Sequence, residues 1–432
     1  MSEKGKNRWS MRLEQVTIKN FKGIEECTLA LEKGFNLLIG DNGYGKTSIL
    51  EAISVGLGGF IAGLPDISGR NFTKDEIRVI LENTGDGSFN RRYMTPVEVG
   101  CKAKIGEENF EWVRKKSSVK ASRSTVEPRT ISRKAEQMAN GENFILPVLS
   151  YQSTARMWMQ KRESAENVFS KHFYRTVGYE GCLTEASNNK MLMNWVRHME
   201  RMEWRRKEKI REYQGVKNAL CKFMRTMLDE EVLSFEYDDQ SDELIYITST
   251  EALPIRALSA GYQSVIWMVL DIAYRMALLN PNLLEDISQT PGIVLIDELD
   301  MHLHPKWQWR IIAGLRATFP NIQFIAATHS PIIMASCKEE NLIRIDEKRN
   351  VTYEKTPYGL DVSDILKICQ GSEAMAKKIN DLLKNFENVI NEGDLDSAQK
   401  FADQIREELG DNHPKVTWAE ETLELEKIPL GE

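Results

Sequence analysis

The sequence predicts an α/β protein built on a mixed, largely parallel sheet. Three short apolar runs are typical of parallel strands covered on both faces: FNLLI at 35–39, IVLI at 293–296 and FIAA at 324–327. The first run leads through a glycine-rich turn into a helix predicted at about 46–57. Residues 308–318 have the pattern of a crossover helix between the other two strands. Hairpins are predicted elsewhere in the chain, so we expect antiparallel as well as parallel strand pairs.

Composition limits the class of protein. The 432 residues are 41% hydrophobic and 28% charged, which is ordinary for a globular chain of two or three structural units. No run of 18 apolar residues occurs and the charged start has no signal-peptide pattern, so we expect no membrane span and a cytoplasmic location. Six scattered cysteines without zinc-type spacing indicate reduced thiols. The net charge of −7 argues against general coating of nucleic acid.

The N-terminal part is predicted to consist of hairpins around the glycine-rich turn. Residues 13–21 and 28–31 indicate one hairpin, and 97–105 with 109–113 indicate another. Residues 58–96 are expected to be irregular. Residues 114–134 hold eight Lys or Arg against one Glu, which indicates a mobile basic loop. A further strand is expected at 144–150.

The rest of the chain is predicted to be mainly helical outside the two C-terminal strands. A charged helical pattern at 188–228, a hairpin at 235–247 and a helix at 261–279 precede those strands. Residues 371–432 are predicted to be helical, with fifteen acidic and seven basic side chains. The predicted organisation is an N-terminal lobe at 1–154, a helical lid or arm insertion at 155–250, a second lobe at 251–350 and a helical extension at 351–432.

The glycine-rich turn carries the motif G-x-x-x-x-G-K-T between a predicted strand and a predicted helix. In that context its backbone N–H groups bind phosphates at a helix N-terminus. Lys46 is expected to reach the β- and γ-phosphates of ATP, and the Thr47 hydroxyl to bind Mg²⁺. A plain glycine-rich turn is the alternative. The predicted nucleotide-binding residues here are Gly40, Asp41, Asn42, Gly43, Tyr44, Gly45, Lys46, Thr47 and Ser48.

Two carboxylates follow the apolar run at 293–296. Asp297 is expected to hold Mg²⁺ through water, and Glu298 to orient and polarise the attacking water. A pair of acids after a strand is weak evidence alone, because a capping carboxylate is common there. The phosphate-binding motif upstream favours the catalytic interpretation.

A third motif, LSAGYQ at 258–263, resembles the signature of ABC-type ATPases. The resemblance implies an ABC-type P-loop ATPase head with a mixed sheet, an inserted helical lid or arm and a C-terminal helical extension. It also implies a head-to-tail dimer, in which Ser259 and Gly261, together with Gln263, bind the γ-phosphate held on the other copy's P-loop. His329, after the strand at 324–327, would contact the γ-phosphate. The alternatives are a serine helix cap and a structural histidine.

Three further residues are assigned by resemblance. Gln152 suits the glutamine that joins the Mg²⁺ shell in this family, and Lys22, in TIKNFKGIEE, resembles the basic residue that approaches the nucleotide in the SMC- and RecF-like branch. Arg156 either touches phosphate or pairs with an acid. The stretch DELDMHLHPKWQ departs from ABC transporters and is similar to RecF-, SMC- and OLD-like ATPases; His304 in it is a candidate for the dimer contact.

Several longer segments, among them LPVLSYQSTARMW and YGLDVSDIL, resemble the ATPases of bacterial antiphage systems, namely the Septu ATPases of the PtuA type and their retron-associated relatives. This resemblance implies hydrolysis of ATP to ADP and phosphate, assembly into a dimer or higher oligomer, and a small HNH nuclease of the PtuB type as partner. The alternative is a RecF-like DNA-repair ATPase that binds DNA when ATP is bound. The basic stretches at 114–134 and 205–212 leave contact with DNA or RNA open, although such stretches are more often a loop in the first case and a solvated helix face in the second.

Overall fold

The computed structural model describes residues 10–65, 67–85, 88–141, 144–154, 175–184, 189–228, 231–355, 357–370 and 375–427. Arg156 and most of the first part of the predicted lid therefore lie outside the described residues. The chain divides into two compact units, 1–359 and 360–432. The sequence placed this boundary at 350/351, but residues 351–354 pair with the main sheet and belong to the first unit.

The strands are β1 (Met11–Phe21), β2 (Ile24–Ala30), β3 (Phe35–Ile39), β4 (Val79–Asn83), β5 (Phe89–Tyr93), β6 (Val97–Ile105), β7 (Glu108–Lys116), β8 (Thr125–Glu127), β9 (Val148–Gln152), β10 (Val232–Asp238), β11 (Glu243–Thr248), β12 (Ala252–Pro254), β13 (Gly292–Ile296), β14 (Ile322–Ala327), β15 (Asn341–Ile345) and β16 (Val351–Glu354).

The α-helices are α1 (Lys46–Ile61), α2 (Thr130–Asn140), α3 (Asn189–Arg206), α4 (Arg211–Met227), α5 (Ala260–Leu279), α6 (Pro305–Gln308), α7 (Ile311–Thr318), α8 (Pro331–Ser336), α9 (Val362–Gln370), α10 (Lys377–Asn391), α11 (Leu395–Leu409) and α12 (Pro414–Glu426). Within the described residues no helix is both long and apolar enough to cross a membrane.

The main sheet has six strands in the order β16-β15-β3-β14-β13-β9. Strands β15, β3, β14, β13 and β9 run parallel to one another. Strand β16, at one edge, pairs with β15 in the antiparallel direction. Strands β3, β9, β13 and β14 are buried along their whole length, as their apolar sequences predict. Because parallel strands end at the same edge of the sheet, the residues that follow β3, β9, β13 and β14 are brought together there.

A second, antiparallel sheet has the order β2-β1-β6-β7-β8, and it contains both predicted N-terminal hairpins. Helix α1 packs between this sheet and the main one, with contacts to β6 and β7 on one side and β13 and β14 on the other. Almost all of its residues are buried, which explains why its sequence is apolar on every face. Trp112 of β7 fixes the packing by donating its indole N–H to the carbonyl oxygen of Gly56, at 2.9 Å.

The prediction of a mobile basic loop at 114–134 was wrong in most of its length. Residues up to 116 complete β7, 125–127 form β8, and α2 begins at 130. Helix α2 forms because Ile131, Ala135 and Met138 lie on one face at helical spacing and are buried, while its basic side chains lie elsewhere on the helix. Residues 58–96 are likewise more ordered than predicted, since they contain the β4–β5 hairpin.

The region predicted as a helical insertion is mixed in the part that the structure describes. Helices α3 and α4 match the predicted helical pattern, and they are followed by a three-stranded antiparallel sheet, β10-β11-β12. In the second unit, α10, α11 and α12 pack around a small core in which Phe386, Ile405 and Ala419 are fully buried. This confirms the helical prediction for the described part of the acidic C-terminal region.

Candidate active site

The turn between β3 and α1 has the geometry of a phosphate-binding loop. Gly45 caps α1 with a left-handed backbone (φ 101°), a conformation that glycine adopts without strain. The first turn of α1 carries no acidic side chain, so its amide groups retain their attraction for an anion. The Lys46 ammonium group lies inside the turn and donates to the carbonyl oxygens of Gly40 (2.7 Å) and Asp41 (2.9 Å).

Thr47 and Asp297 meet at the edge where β3 and β13 end. The Thr47 hydroxyl donates to Asp297 Oδ1 at 3.2 Å, and Asp297 is only 1% exposed. The Asp297 N–H donates to the carbonyl oxygen of Gln152 at 2.9 Å, which ties the end of β13 to the end of β9. A hydroxyl and a carboxylate oxygen at this separation are ligands that Mg²⁺ prefers, so these residues fit that ion.

His329 lies beside the lysine, with Nδ1 3.5 Å from the Lys46 ammonium nitrogen. Burial and the Lys46 charge lower the pKa of His329 below its usual value, so the ring is neutral near pH 7. Asp300 holds the backbone around the histidine, since its Oδ1 accepts hydrogen bonds from the Thr328 hydroxyl and, at 3.2 Å, from the His329 N–H. We refer to Lys46, Thr47, Asp297, Asp300 and His329 as the P-loop cluster.

Glu298 differs from its neighbour Asp297 in being exposed to solvent. Its backbone is left-handed (φ 46°), which is uncommon for a residue with a side chain and is typical of functional sites. Burial lowers the pKa of Lys46 to about 8, and the nearby carboxylates, including Asp297 and Glu298, partly offset this effect. The site therefore combines a buried cation with an accessible carboxylate.

The signature turn, residues 258–263, lies at the start of α5. Ser259 is the N-cap residue of this helix and is exposed. Gly261 packs against the loop after β13, because a Cβ atom at this position would lie 2.6 Å from the carbonyl oxygen of His302. The Gln263 amide donates to the carbonyl oxygens of Leu258 (2.7 Å) and Arg256 (3.2 Å), and so holds the turn closed.

The aromatic ring of Tyr262 makes an edge-to-face contact with Trp307, with centroids 4.4 Å apart. The signature turn is thus attached to the segment that follows Asp297 and Glu298. In this segment His304 caps α6, because its side chain accepts a hydrogen bond from the Lys306 N–H. The P-loop cluster brings Lys46, Thr47, Asp297 and His329 together. The contacts described above for the signature turn are instead with its own backbone, with His302 and with Trp307.

The side chains of Gln152 and Lys22, which the sequence assigns to the Mg²⁺ shell and to the nucleotide, each contact an acidic side chain in the structure. Gln152 lies beside Asp297 through its main chain, but its side-chain nitrogen donates to Asp271 Oδ2 (2.7 Å) and to Ser150 Oγ (2.8 Å). The Lys22 ammonium group pairs with Glu51 on α1, and the residue has a left-handed backbone with φ 47°. Lys22 is therefore fixed to the helix that begins at the P-loop.

Sequence reasoning missed two acidic residues that organise this site, Asp271 and Asp300. A signal for Asp271 is present, because it is the single acid in the apolar stretch WMVLDIAY of α5. Asp300 stands in the DELD motif, but its bonds to Thr328 and His329 span 28 and 29 residues, which spacing does not reveal.

A family model described as an AAA domain matches residues 15–245, and one described as an AAA ATPase domain matches residues 158–334. The probable ATPase of retron Vc95 from Vibrio cholerae serotype O1 biovar El Tor is 28% identical, over 90% of this chain and 85% of that protein. The Septu protein PtuA of Bacillus thuringiensis is 24% identical, over 88% of this chain and 89% of that protein. The DNA replication and repair protein RecF of Aliivibrio salmonicida is 39% identical, but over only 20% of this chain and 21% of that protein.

Proposed function

The chain belongs to the AAA-domain family, whose model matches more than half of its residues, and we propose that it binds ATP with Mg²⁺ on the P-loop cluster and hydrolyses it in a head-to-tail dimer. The observation that carries this proposal is the convergence of residues that follow three different strands: the Lys46 ammonium group lies 3.5 Å from His329 Nδ1, and the adjacent Thr47 hydroxyl lies 3.2 Å from Asp297 Oδ1. A cation, a hydroxyl, a carboxylate and a neutral imidazole in this arrangement suit phosphoryl transfer to water.

Each residue of the site has a separate task in this proposal. The amide groups of the first turn of α1 and the Lys46 ammonium group bind the β- and γ-phosphates. Thr47 and Asp297 would hold Mg²⁺, which when bound neutralises charge on the phosphates. Glu298 is accessible and orients the attacking water, whose proton it accepts. His329 is neutral near pH 7 and can donate one hydrogen bond toward the γ-phosphate without adding charge.

The dimer supplies what a single copy lacks at the γ-phosphate. Ser259 is exposed and stands at the N-terminus of a 20-residue helix, where amide groups and the helix dipole favour an anion. In the proposed arrangement the signature turn of one copy closes over the γ-phosphate bound to the P-loop of the other, so that each nucleotide contacts both chains.

Glu298→Gln tests this proposal directly. The variant should bind ATP as the wild type does, while its hydrolysis rate falls at least about a hundredfold, because only the group that polarises water is lost. Light scattering should then show a dimer that persists with ATP and dissociates when ADP replaces it. Hydrolysis at the wild-type rate would disprove the role of Glu298, and a monomer at saturating ATP would disprove the shared site.

We further propose that this ATPase regulates a partner nuclease in an antiphage system. The matches to the retron ATPase and to PtuA support this role because they extend over most of both chains, whereas the RecF match is confined to a fifth of each. Co-purification of an HNH nuclease encoded beside the gene, with nuclease activity that responds to ATP, is the expected result. Stable ATP-dependent, salt-sensitive binding to gapped DNA by the chain alone would instead indicate a RecF-like function.

A further inference from the structure

Asp271 is a largely buried acid on α5 whose carboxylate receives an unusual number of hydrogen bonds. Its side chain is 16% exposed. A single oxygen, Oδ2, accepts from Gln152 Nε2 at 2.7 Å, from Arg275 Nε at 2.9 Å and from Ser150 Oγ at 3.2 Å. Hydrogen bonds to an ionised acceptor are stronger than neutral ones, so this carboxylate holds the end of β9 firmly against α5.

Arg275 pairs with the Asp271 carboxylate in this buried place, with Arg275 Nε 2.9 Å from Asp271 Oδ2. The Arg275 side chain is 8% exposed, and besides the ion pair it donates to the carbonyl oxygens of Gly178 (3.0 Å) and Glu180 (3.1 Å). Burial alone would lower the pKa of Arg275, but the charge of Asp271 and the bond to it raise the pKa above its usual value. A buried ion pair is costly unless its hydrogen bonds are satisfied, and here the bonds from Arg275 meet that condition.

The carboxylate also determines which way the Gln152 amide faces. An ionised carboxylate only accepts hydrogen bonds, so it must face the NH₂ end of the amide, and the amide oxygen lies at the opposite end. The backbone carbonyl oxygen of Gln152 meanwhile accepts a hydrogen bond from the Asp297 N–H. Gln152 therefore joins α5 through its side chain and the Asp297 end of β13 through its backbone.

Helix α5 begins at the signature turn and reaches Asp271 twelve residues after Ser259, roughly 18 Å along the helix axis. An α-helix transmits displacement along its axis because its backbone hydrogen bonds are continuous. A movement of the signature turn is thus carried along α5 to Asp271, and from Asp271 to Gln152 through the 2.7 Å hydrogen bond between them.

We propose that Asp271 is a positioning residue, which fixes the Gln152 amide and couples the signature end of α5 to the Asp297 side of the nucleotide site in the same chain. The inference rests on the proposed function, because it gives the coupling a purpose: a chain whose signature turn engages its partner's nucleotide adjusts its own hydrolytic site.

Asp271→Asn is the first test, because the variant has the same shape but no charge, and its amide permits Gln152 to turn over. We expect kcat for ATP to fall about tenfold while KM changes less than twofold, since the phosphate-binding residues are untouched. Gln152→Ala should cause a similar loss. The double variant Gln152→Ala with Asp271→Asn should lose no more than the larger single loss, because both changes remove one interaction.

Ser150→Ala is a graded comparison, since it removes one hydrogen bond to Asp271 and one from the Gln152 amide but keeps the bond between Asp271 and Gln152. Its kcat should therefore fall less than that of Asp271→Asn, and a loss as large as that of Asp271→Asn would contradict the inference. A purely structural role would give losses that multiply to about a hundredfold in the double variant, and that result would overturn the inference. Should Asp271→Asn fail to fold, Gln152→Ala at wild-type kcat overturns it equally. A wild-type chain without ATPase activity would contradict the proposed function itself.

Discussion

The P-loop cluster and the signature turn are both predicted to contact the γ-phosphate of ATP, yet the chain arranges them differently. In the P-loop cluster, side chains from three strand ends contact one another, and Lys46 and Asp297 are buried. In the signature turn, Ser259 is exposed and Gln263 closes the turn on its own backbone. The difference fits the proposed dimer, in which the P-loop cluster is completed within one chain and the signature turn acts on the nucleotide of a second copy.

One loop connects the two regions. Asp300 in this loop binds Thr328 and His329 on the P-loop side, while the carbonyl group of His302, two residues later, contacts Gly261 on the signature side. The loop begins with Glu298, the proposed catalytic carboxylate. The proposed catalytic residues are therefore joined to the signature turn by a second set of contacts, which does not include Asp271.

The largest predicted effect comes from disabling each region in a different copy. Lys46→Ala removes the proposed phosphate-binding cation, and Ser259→Asp retains a residue type that is favoured at the N-cap position but places a negative charge against the triphosphate. Each variant alone should lose ATPase activity about a hundredfold. Mixed in equal amounts, they should regain about a quarter of the wild-type rate, because half of the dimers are mixed and each of those has one intact site.

Ser259→Thr is the control for the signature residue, since it keeps a neutral hydroxyl side chain at the N-cap position and should remain active. Recovery is measured as phosphate release after the variants are mixed and allowed to exchange subunits. A mixture no more active than the sum of its separate parts would show that the two regions do not serve one nucleotide.

A smaller effect is expected from Asp300→Ala, which removes the acceptor for both Thr328 and His329. The histidine would then be held less precisely, and kcat should fall about tenfold with little change in ATP binding. Asp300→Asn retains an oxygen acceptor and should lose less activity. Steady-state hydrolysis together with nucleotide titration checks both statements. If both variants were as active as the wild type, Asp300 would have no role in hydrolysis.

The smallest effect concerns the contact that ties the signature turn to the segment after the loop. Trp307→Leu removes the edge-to-face contact with Tyr262, and such aromatic pairs stabilise proteins by about 1 kcal/mol beyond their buried area. We expect a lower Tm and a decrease in kcat of a few-fold. Trp309→Leu is a matched control, because Trp309 is 46% exposed; a larger loss in this control than in Trp307→Leu would contradict the assigned contact.

Much of the fold could be predicted because it depends on local patterns. The strands at 35–39, 293–296 and 324–327, helix α1 and both N-terminal hairpins follow from apolar runs and glycine-rich turns, and the structure confirms them. The wrong prediction at 114–134 shows the limit of this reasoning. Its basic composition obscured the apolar face of α2, on which three apolar residues are buried among eleven positions that are otherwise mostly polar.

The sequence by itself determined four members of the P-loop cluster, Lys46, Thr47, Asp297 and His329, because a motif fixes backbone geometry over a few residues and the apolar strands beside each motif bring their ends to one sheet edge. Only the tertiary structure decided that Gln152 faces Asp271, 119 residues away, and that Gly261 packs on His302. Side-chain direction and the partners met across such separations depend on how helices pack on the sheet. No spacing along the chain encodes that packing.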